Sequence, residues 1–522
     1  MSRRHSPQSA RALAALLAAA LTAALLLLLP SATLARPAGS FAPLVLGPAS
    51  SGAQSAPALL AALALQQAEL TAPDGVAGDD FGSAVALSGD TALVGADGHT
   101  VGGTTDQGAA YVFTLSGTTW SWQATLTASD GAAKDGFGSA VALDGDTAVI
   151  GASGKTIADH DLAGAAYVFV RSGATWTQQA EFTDPAARSY DAFGGSVALQ
   201  GDTALIAGWG TGDLDQEDQM TGMVYVFART GSLWTQQAAL KDPDDSGEDE
   251  FGCSVALNGD TALIGADGND SLGAAYVYAR SGSRWSLRQS LFEPNMTSNE
   301  ATFGSDVAFS SDAAIITDPD LAGGGVSDMY VLNNGKLRYQ QTLRDSGPVA
   351  LSATLVVIGG SRTVDVYERA ARGWTRTAEL LEPPAADGHS FGAALALSGT
   401  TALIGDPGGV DGTHAYDGTA WAQGLSSLPV TTLKATASSV WPGQRVTLTG
   451  RVANVSTGQN TVTICRQLKH HKLELLKKVS LTRRGSYSWT LRPGQPGTWA
   501  LVATYKVGGV VSPSPLVSVR VR

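Results

Sequence analysis

The sequence predicts an all-β fold, a seven-bladed β-propeller followed by a small immunoglobulin-like β-sandwich. Three observations carry that expectation. A segment opening on Phe-Gly recurs along residues 64–427. Between the openings, short runs of alternating apolar and polar residues are parted by Gly, Asp and Ser, the pattern of strands and turns. Near residue 430 the repeat stops and the charge balance reverses.

The first 35 residues predict an export signal. Arg3, Arg4 and Arg11 form a positive start, and Ala12 to Leu29 is apolar apart from Thr22. Pro30 and small residues up to Ala35 then close the run. A retained membrane anchor is the alternative, because the run is nearly long enough to span a bilayer. Residues 36–63 form a linker. The chain is therefore expected to be secreted, at the cell surface or free, with membrane contact only if the leader is kept. Its two cysteines, Cys253 and Cys465, fall in different predicted domains, so no disulfide framework is expected.

Repetition at a period of about fifty residues marks a repeat architecture. Phe-Gly stands at Phe81, Phe137, Phe193, Phe251, Phe303 and Phe391. The last gap is 88 residues and leaves room for a further copy near Val349, with Asp345-Ser346 in the Phe-Gly place. Each copy continues with an aromatic-rich strand such as Ala-Ala-Tyr111-Val-Phe113. A Trp-led strand follows, at Trp120, Trp176, Trp234, Trp285, Trp374 and Trp421, with Leu337 in the fifth copy. In Phe81–Leu87 one face carries Phe81, Val85 and Leu87 and the other Gly82, Ala84 and Ala86. A large face against a small one lets neighbouring sheets interdigitate. Residues 64–70 copy the outer strand at Trp176–Phe182. That spare strand suits ring closure, since it can pair into the last blade and hide an edge.

These residues, with the Val-Gly-Ala96, Ile-Gly-Ala152 and Ile-Gly-Ala266 strands, resemble the FG-GAP repeat of integrin α-subunit propellers and their bacterial relatives. The resemblance covers residues 64–427 and implies a seven-bladed propeller with an extracellular adhesion or ligand-binding role. The family's calcium loops lie in the hairpin between the first two strands of a blade. Here that hairpin is only Ser88-Gly89-Asp90 or Asn258-Gly259-Asp260, too short to wrap a cation. No cofactor is expected; calcium stays open only as a loop at Asp213, Asp215 and Asp218.

Loop length separates two rims. Eleven residues run from Leu70 to Phe81, and the same spacing recurs from Leu126, Phe182, Leu240 and Leu380. These blade-to-blade loops share a rim with the long loops 97–108, 153–164 and 209–222, while the opposite rim has tight turns. Binding concentrates on long loops held by a rigid scaffold. The candidate ligand-binding residues are Trp209, Asp213, Asp215, Asp218, Asp244, Asp245 and Asp249, on the third and fourth blades. Solvated turn chemistry is the bland reading of the acids, and packing over a neighbouring blade that of Trp209. The sixth blade contributes least, because only Arg344 lies between Leu343 and Asp345.

Catalytic signals are weak. Gly388-His-Ser390-Phe-Gly392 fits a nucleophile elbow but falls on a repeat opening. Gly154-Lys155-Thr156 resembles a phosphate loop without its first glycine. Cys465, His470 and His471 are too few for a zinc site. A non-catalytic binding or adhesion protein for an extracellular protein or glycan is expected, with a polysaccharide-active enzyme using rim carboxylates as the alternative.

Residues 430–522 carry fourteen Lys/Arg against one acid, Glu474, while the whole chain is at −13. Seven alternating strands are predicted within 428–522, an immunoglobulin-like sandwich resembling the modules of bacterial surface proteins. Its charge suits anionic wall polymers or the acidic propeller. Nucleic acid is disfavoured for want of a motif.

Overall fold

A computed structural model describes residues 67–522 except 209–221, 244–248, 269–271, 295–301, 320–324, 361, 384–389, 409–417, 427, 429, 432, 454–460, 468–472, 483, 494, 508–509 and 515–516. The expected leader and linker lie outside this range. Every named element among the described residues is a β-strand, and no helix there is long and apolar enough to cross a membrane.

The repeat folds as a four-stranded antiparallel sheet. In the first, Val85–Ser88, Thr91–Ala96, Ala109–Ser116 and Thr119–Leu126 pair in chain order. The same meander recurs over 137–182, 196–241, 255–291, 307–343 and 349–381. The last sheet takes three strands from 394–424 and its fourth from Gln67–Leu70, which pairs antiparallel with Thr419–Gly424. The first strand of each sheet lies against the first strands of the sheets before and after it, and that of 394–424 lies against Val85–Ser88. Repeated sheets packed in this way are the architecture of a β-propeller. The described part of the spare strand, Gln67–Leu70, thus sits where the sequence suggested. Trp421 does not: it lies on the third strand of the last sheet, opposite Ile404, because the N-terminal strand occupies the fourth place.

Packing follows the two-faced pattern. Phe81, Val85 and Leu87 cluster with Leu403, Ala420 and Ala422 of the last sheet. Ala86, Leu93 and Ala110 on the other face meet Phe137, Ala148 and Ile150 of the next. Each Phe of the opening is fully buried, and Phe81, Phe137, Phe193 and Phe251 lie beside a Tyr of the third strand, at 5.5 Å for Phe81–Tyr111 and for Phe137–Tyr167. The sheets approach so closely that backbone meets backbone. A Cβ on Gly95 would lie 2.1 Å from the carbonyl oxygen of Gly138, the glycine after the next Phe. Gly138 itself has φ +106°, a conformation that favours glycine. Phe-Gly is therefore a packing signature. A bulge at one place in the outer hairpin, such as Val112/Phe113 and Val168/Phe169, recurs from sheet to sheet and adds twist.

Polar latches join neighbouring sheets. The indole Nε1 of Trp176 donates to Gln123 Oε1 at 3.0 Å, Trp234 to Gln179 and Trp285 to Gln237 likewise. Arg171 lies over the Trp176 ring, holds Asp146 at 2.7 Å and donates across the interface to Thr91. Arg229 and Arg280 repeat that arrangement.

The C-terminal strands enclose their own core, including Val446, Leu448, Ile464, Leu501, Tyr505 and Val519. One strand there, Val510–Pro513, escaped the sequence reading. It pairs with Gly373–Leu381 through Leu380↔Val510 and Glu379↔Val511, so the C-terminal sheet runs on from the sixth repeat sheet. Val510 is buried with Leu380, Leu425 and Leu428. The C-terminal strands are expected from sequence to stand apart, and instead they are stitched to the repeat region, covering an exposed strand edge.

Candidate functional site

The two edges of the repeat sheets differ as loop lengths predicted. On one edge the first two strands join through Gly89-Asp90 and the last two through Gly117-Thr118. The opposite edge carries the long loops, and the acids there divide into two positions with distinct tasks.

The acid just before each opening is buried: Asp79, Asp135, Asp191 and Asp249 are no more than 2% exposed. Its carboxylate closes the loop on itself. Asp79 Oδ2 accepts from Val76 N at 2.8 Å, Asp135 Oδ2 from Ala132 N at 2.9 Å and Asp191 Oδ2 from Arg188 N at 2.6 Å. The acid nearer the loop start accepts the third-strand tyrosine: Tyr111 to Asp74, Tyr167 to Asp130, Tyr225 to Asp184. In the first two loops a basic side chain lies between the acids. His99 Nδ1 is 2.8 Å from Asp79 and its Nε2 3.7 Å from Asp74. Lys155 Nζ is 3.0 Å from Asp130 and 3.1 Å from Asp135. Buried charges paired and hydrogen-bonded in this way order a loop. Of these acids the sequence reading singled out only Asp249, as a ligand-binding candidate with solvated turn chemistry as the bland alternative; it met Lys155 only in an incomplete phosphate loop and did not foresee His99 or the tyrosine–acid pairs. The signal available was the recurrence of an acid two residues before Phe, at Asp79, Asp135, Asp191 and Asp249.

The fifth and sixth sheets bury acids differently. Glu293, Asp318 and Asp328 are at most 5% exposed, and Asp328 accepts from Thr342 at 2.6 Å. In the sixth sheet Asp345 and Asp365 replace the Phe–Tyr pair. Tyr367 donates to Asp345, and Arg376 Nε donates to Asp365 at 2.7 Å. Burial pushes the Asp365 carboxyl up to about 7 against the pull of Arg376.

These environments set a pH dependence. Burial lifts Asp191 and Asp306 to about 6, and the hydrogen bond to Asp79 raises His99. Each folded-state pKa is raised, so each contribution is complete at low pH and is lost as pH rises through the folded value. Asp130, where hydrogen bonds from Lys155 and Tyr167 overcome burial, is lowered, so its contribution is lost only below the ordinary carboxylate range. The expected result is a higher denaturant midpoint at pH 5.5 than at pH 7.5. A flat or opposite trend would contradict these assignments.

Of the candidate ligand-binding residues, Trp209, Asp213, Asp215, Asp218, Asp244 and Asp245 lie outside the described residues. Asp249 is fully buried, so its carboxylate serves the loop interior and is not presented to solvent. The weak catalytic signals resolve into structure. Ser390 Oγ donates to Asp406 at 2.7 Å and accepts from Gly408 N. Lys155 is held between two carboxylates, which would repel a phosphate. Among the described residues no group of three His, Cys, Asp or Glu is placed to hold a metal, and both cysteines are free.

No curated protein matches the chain. A family model described as the FG-GAP repeat matches residues 65–113, 120–169, 176–227 and 234–278. Each matched segment takes the fourth strand of one sheet and the first three of the next. Residues 65–278 of this chain are therefore built of FG-GAP repeats.

Proposed function

We propose that this chain is a secreted, non-catalytic binding protein: a seven-bladed propeller over residues 64–427, closed by its N-terminal strand and followed by an immunoglobulin-like sandwich over 428–522. The ligand is an extracellular protein or glycan, and it meets the long-loop rim. The observation that carries this reading is the asymmetry of the sheets. One edge has short turns of two or three residues, while the other is built of long acid-bearing loops on a rigid scaffold, where binding surfaces form. The FG-GAP repeats favour the same class of role. The third and fourth blades carry the contact through Trp209, Asp213, Asp215, Asp218, Asp244 and Asp245, and the sixth, whose loop is collapsed, carries least.

A glycan and protein array probed with the mature chain tests this. Trp209→Ala, or a shortened loop 242–250, is expected to weaken the captured ligand at least about tenfold, the effect of losing an aromatic contact. Full affinity in both variants would move the site elsewhere. Glycan turnover abolished by a single rim Asp→Asn substitution would replace binding with catalysis.

A further inference from the structure

We propose that the C-terminal strands bind an acidic polysaccharide of the uronic-acid type at the end of their sheets where Trp441 and Trp499 stand. The site is separate from the loop rim and does not rest on the role given to it. Residues 430–522 hold fourteen Lys/Arg against one acid, and four of the arginines meet the two tryptophans at this end. Val440 and Gly497 both stand opposite Val521, which brings Trp441, Arg522 and the start of Gly497–Val507 together. The turn Trp441-Pro442-Gly443-Gln444 is closed by Gln444 N donating to Trp441 O at 3.1 Å, with Gly443 at φ +79°, as a glycine after proline adopts in a tight turn. Gly443 N donates to Pro493 O at 2.9 Å, and Trp499 Nε1 donates to Gln495 O at 3.2 Å, so the two tryptophans flank one loop. Val446 stands opposite Leu491, and Arg445 and Arg492 therefore leave their strands at the same place.

Each indole is paired with a guanidinium. Arg522 lies over Trp441 at 5.9 Å and Arg466 over Trp499 at 4.2 Å, and Arg522 Nε donates to Ser439 Oγ at 3.0 Å. Trp441 is 58% exposed, while Trp499 is half-buried against the C-terminal core. A flat indole offers its face to the apolar C–H face of a sugar ring, and a guanidinium meets a carboxylate with two parallel hydrogen bonds. The one acid of residues 430–522, Glu474, stands opposite Arg466 in register, which leaves Arg445 and Arg492 no acidic side chain of these strands to pair with. The acidic repeat region is not the occupant. It meets these strands at the other end of Gly497–Val507, where Val507 pairs with Val510 and Val510 with Leu380, roughly 25 Å along the strand from Trp499. A bilayer fits less well, because Trp499 is packed on the core and is not free to insert.

The test titrates the full chain with polygalacturonate, and with its methyl ester as the uncharged counterpart, chelator being present throughout. Polygalacturonate is expected to bind at low salt, and the ester at least about tenfold more weakly, because esterification removes the charge that the arginines read. Trp441→Ala, and separately Arg445→Gln together with Arg492→Gln, are each expected to weaken binding at least about tenfold. All three side chains are exposed, so the variants keep the fold. Lys477→Gln together with Lys478→Gln removes as much charge further along the sheet, opposite Ile464 and Thr463, and is expected to leave affinity within about twofold. Four results would overturn the proposal: no binding of polygalacturonate, full affinity in Trp441→Ala, equal losses in the arginine and lysine variants, or tighter binding of anionic vesicles or single-stranded DNA than of polygalacturonate.

Discussion

A chain that begins at Ala72 is expected to self-associate and to unfold at lower denaturant than the full chain. Gln67–Leu70 is the fourth strand of the last sheet. Its removal leaves the backbone of Thr419–Gly424 unpaired along a whole edge, and an open apolar edge is a template for another chain. It also removes Leu70, 3% exposed, from the cluster that joins the last sheet to the first. Leu70→Ala isolates that second effect, and a buried Leu→Ala change costs about 2–5 kcal/mol. Sedimentation separates the two outcomes: the shortened chain forms oligomers, while Leu70→Ala stays monodisperse with a lowered midpoint. A shortened chain as stable and monodisperse as the parent would show that the strand closes nothing.

Arg376→Ala is expected to produce the other large effect. Arg376 is the cation in a sheet that has exchanged its aromatic pair for Asp345 and Asp365, and it also lies 3.4 Å from Glu379. Without it Asp365, 8% exposed, faces two further carboxylates. Removing one partner of a buried ion pair costs about 3–5 kcal/mol, and the low end applies because the Arg376 side chain is itself 34% exposed. The effect is expected to be larger at pH 8 than at pH 5.5. Asp365 is already pushed up to about 7 by burial, so acid supplies the proton that quenches the orphaned charge, and stability is lost as pH rises through the folded value. Glu379 lies on the strand that pairs with Val510–Pro513, so urea titration at the two pH values also reads the attachment of the C-terminal strands. Equal losses at both pH values would mean that Arg376 acts through packing alone.

Much of this protein was legible from residue patterns because the relevant physics is local and repeated. A period-2 alternation with a large and a small face dictates a strand buried on both sides, and copying it dictates sheets that stack. The spare strand at 64–70 was readable for the same reason, since it duplicates a strand type whose place was known. The tight turns and the long loops followed from counting residues between openings.

What only tertiary structure decided are the relations between residues far apart in the chain. The matched repeat is not the folded sheet: each sequence unit straddles two sheets, so Trp421, which the pattern placed on a fourth strand, ends on a third. The Val510–Pro513 strand is four residues long, too short to announce itself, and its partner lies some 130 residues earlier. Of the acids before the openings only Asp249 stood out, and as a contact residue, because Asp is an ordinary turn residue and its place before Phe says nothing of burial. Burial, a tyrosine hydroxyl and a histidine or lysine from another loop are needed to turn them into a polar core. Composition determined that the chain folds as stacked sheets with an acidic body and a basic end. Which carboxylates lie inside, and what balances their charge, depended on how neighbouring loops close over one another, because the cost of burying a charge is set by its surroundings in space and not by its neighbours in sequence.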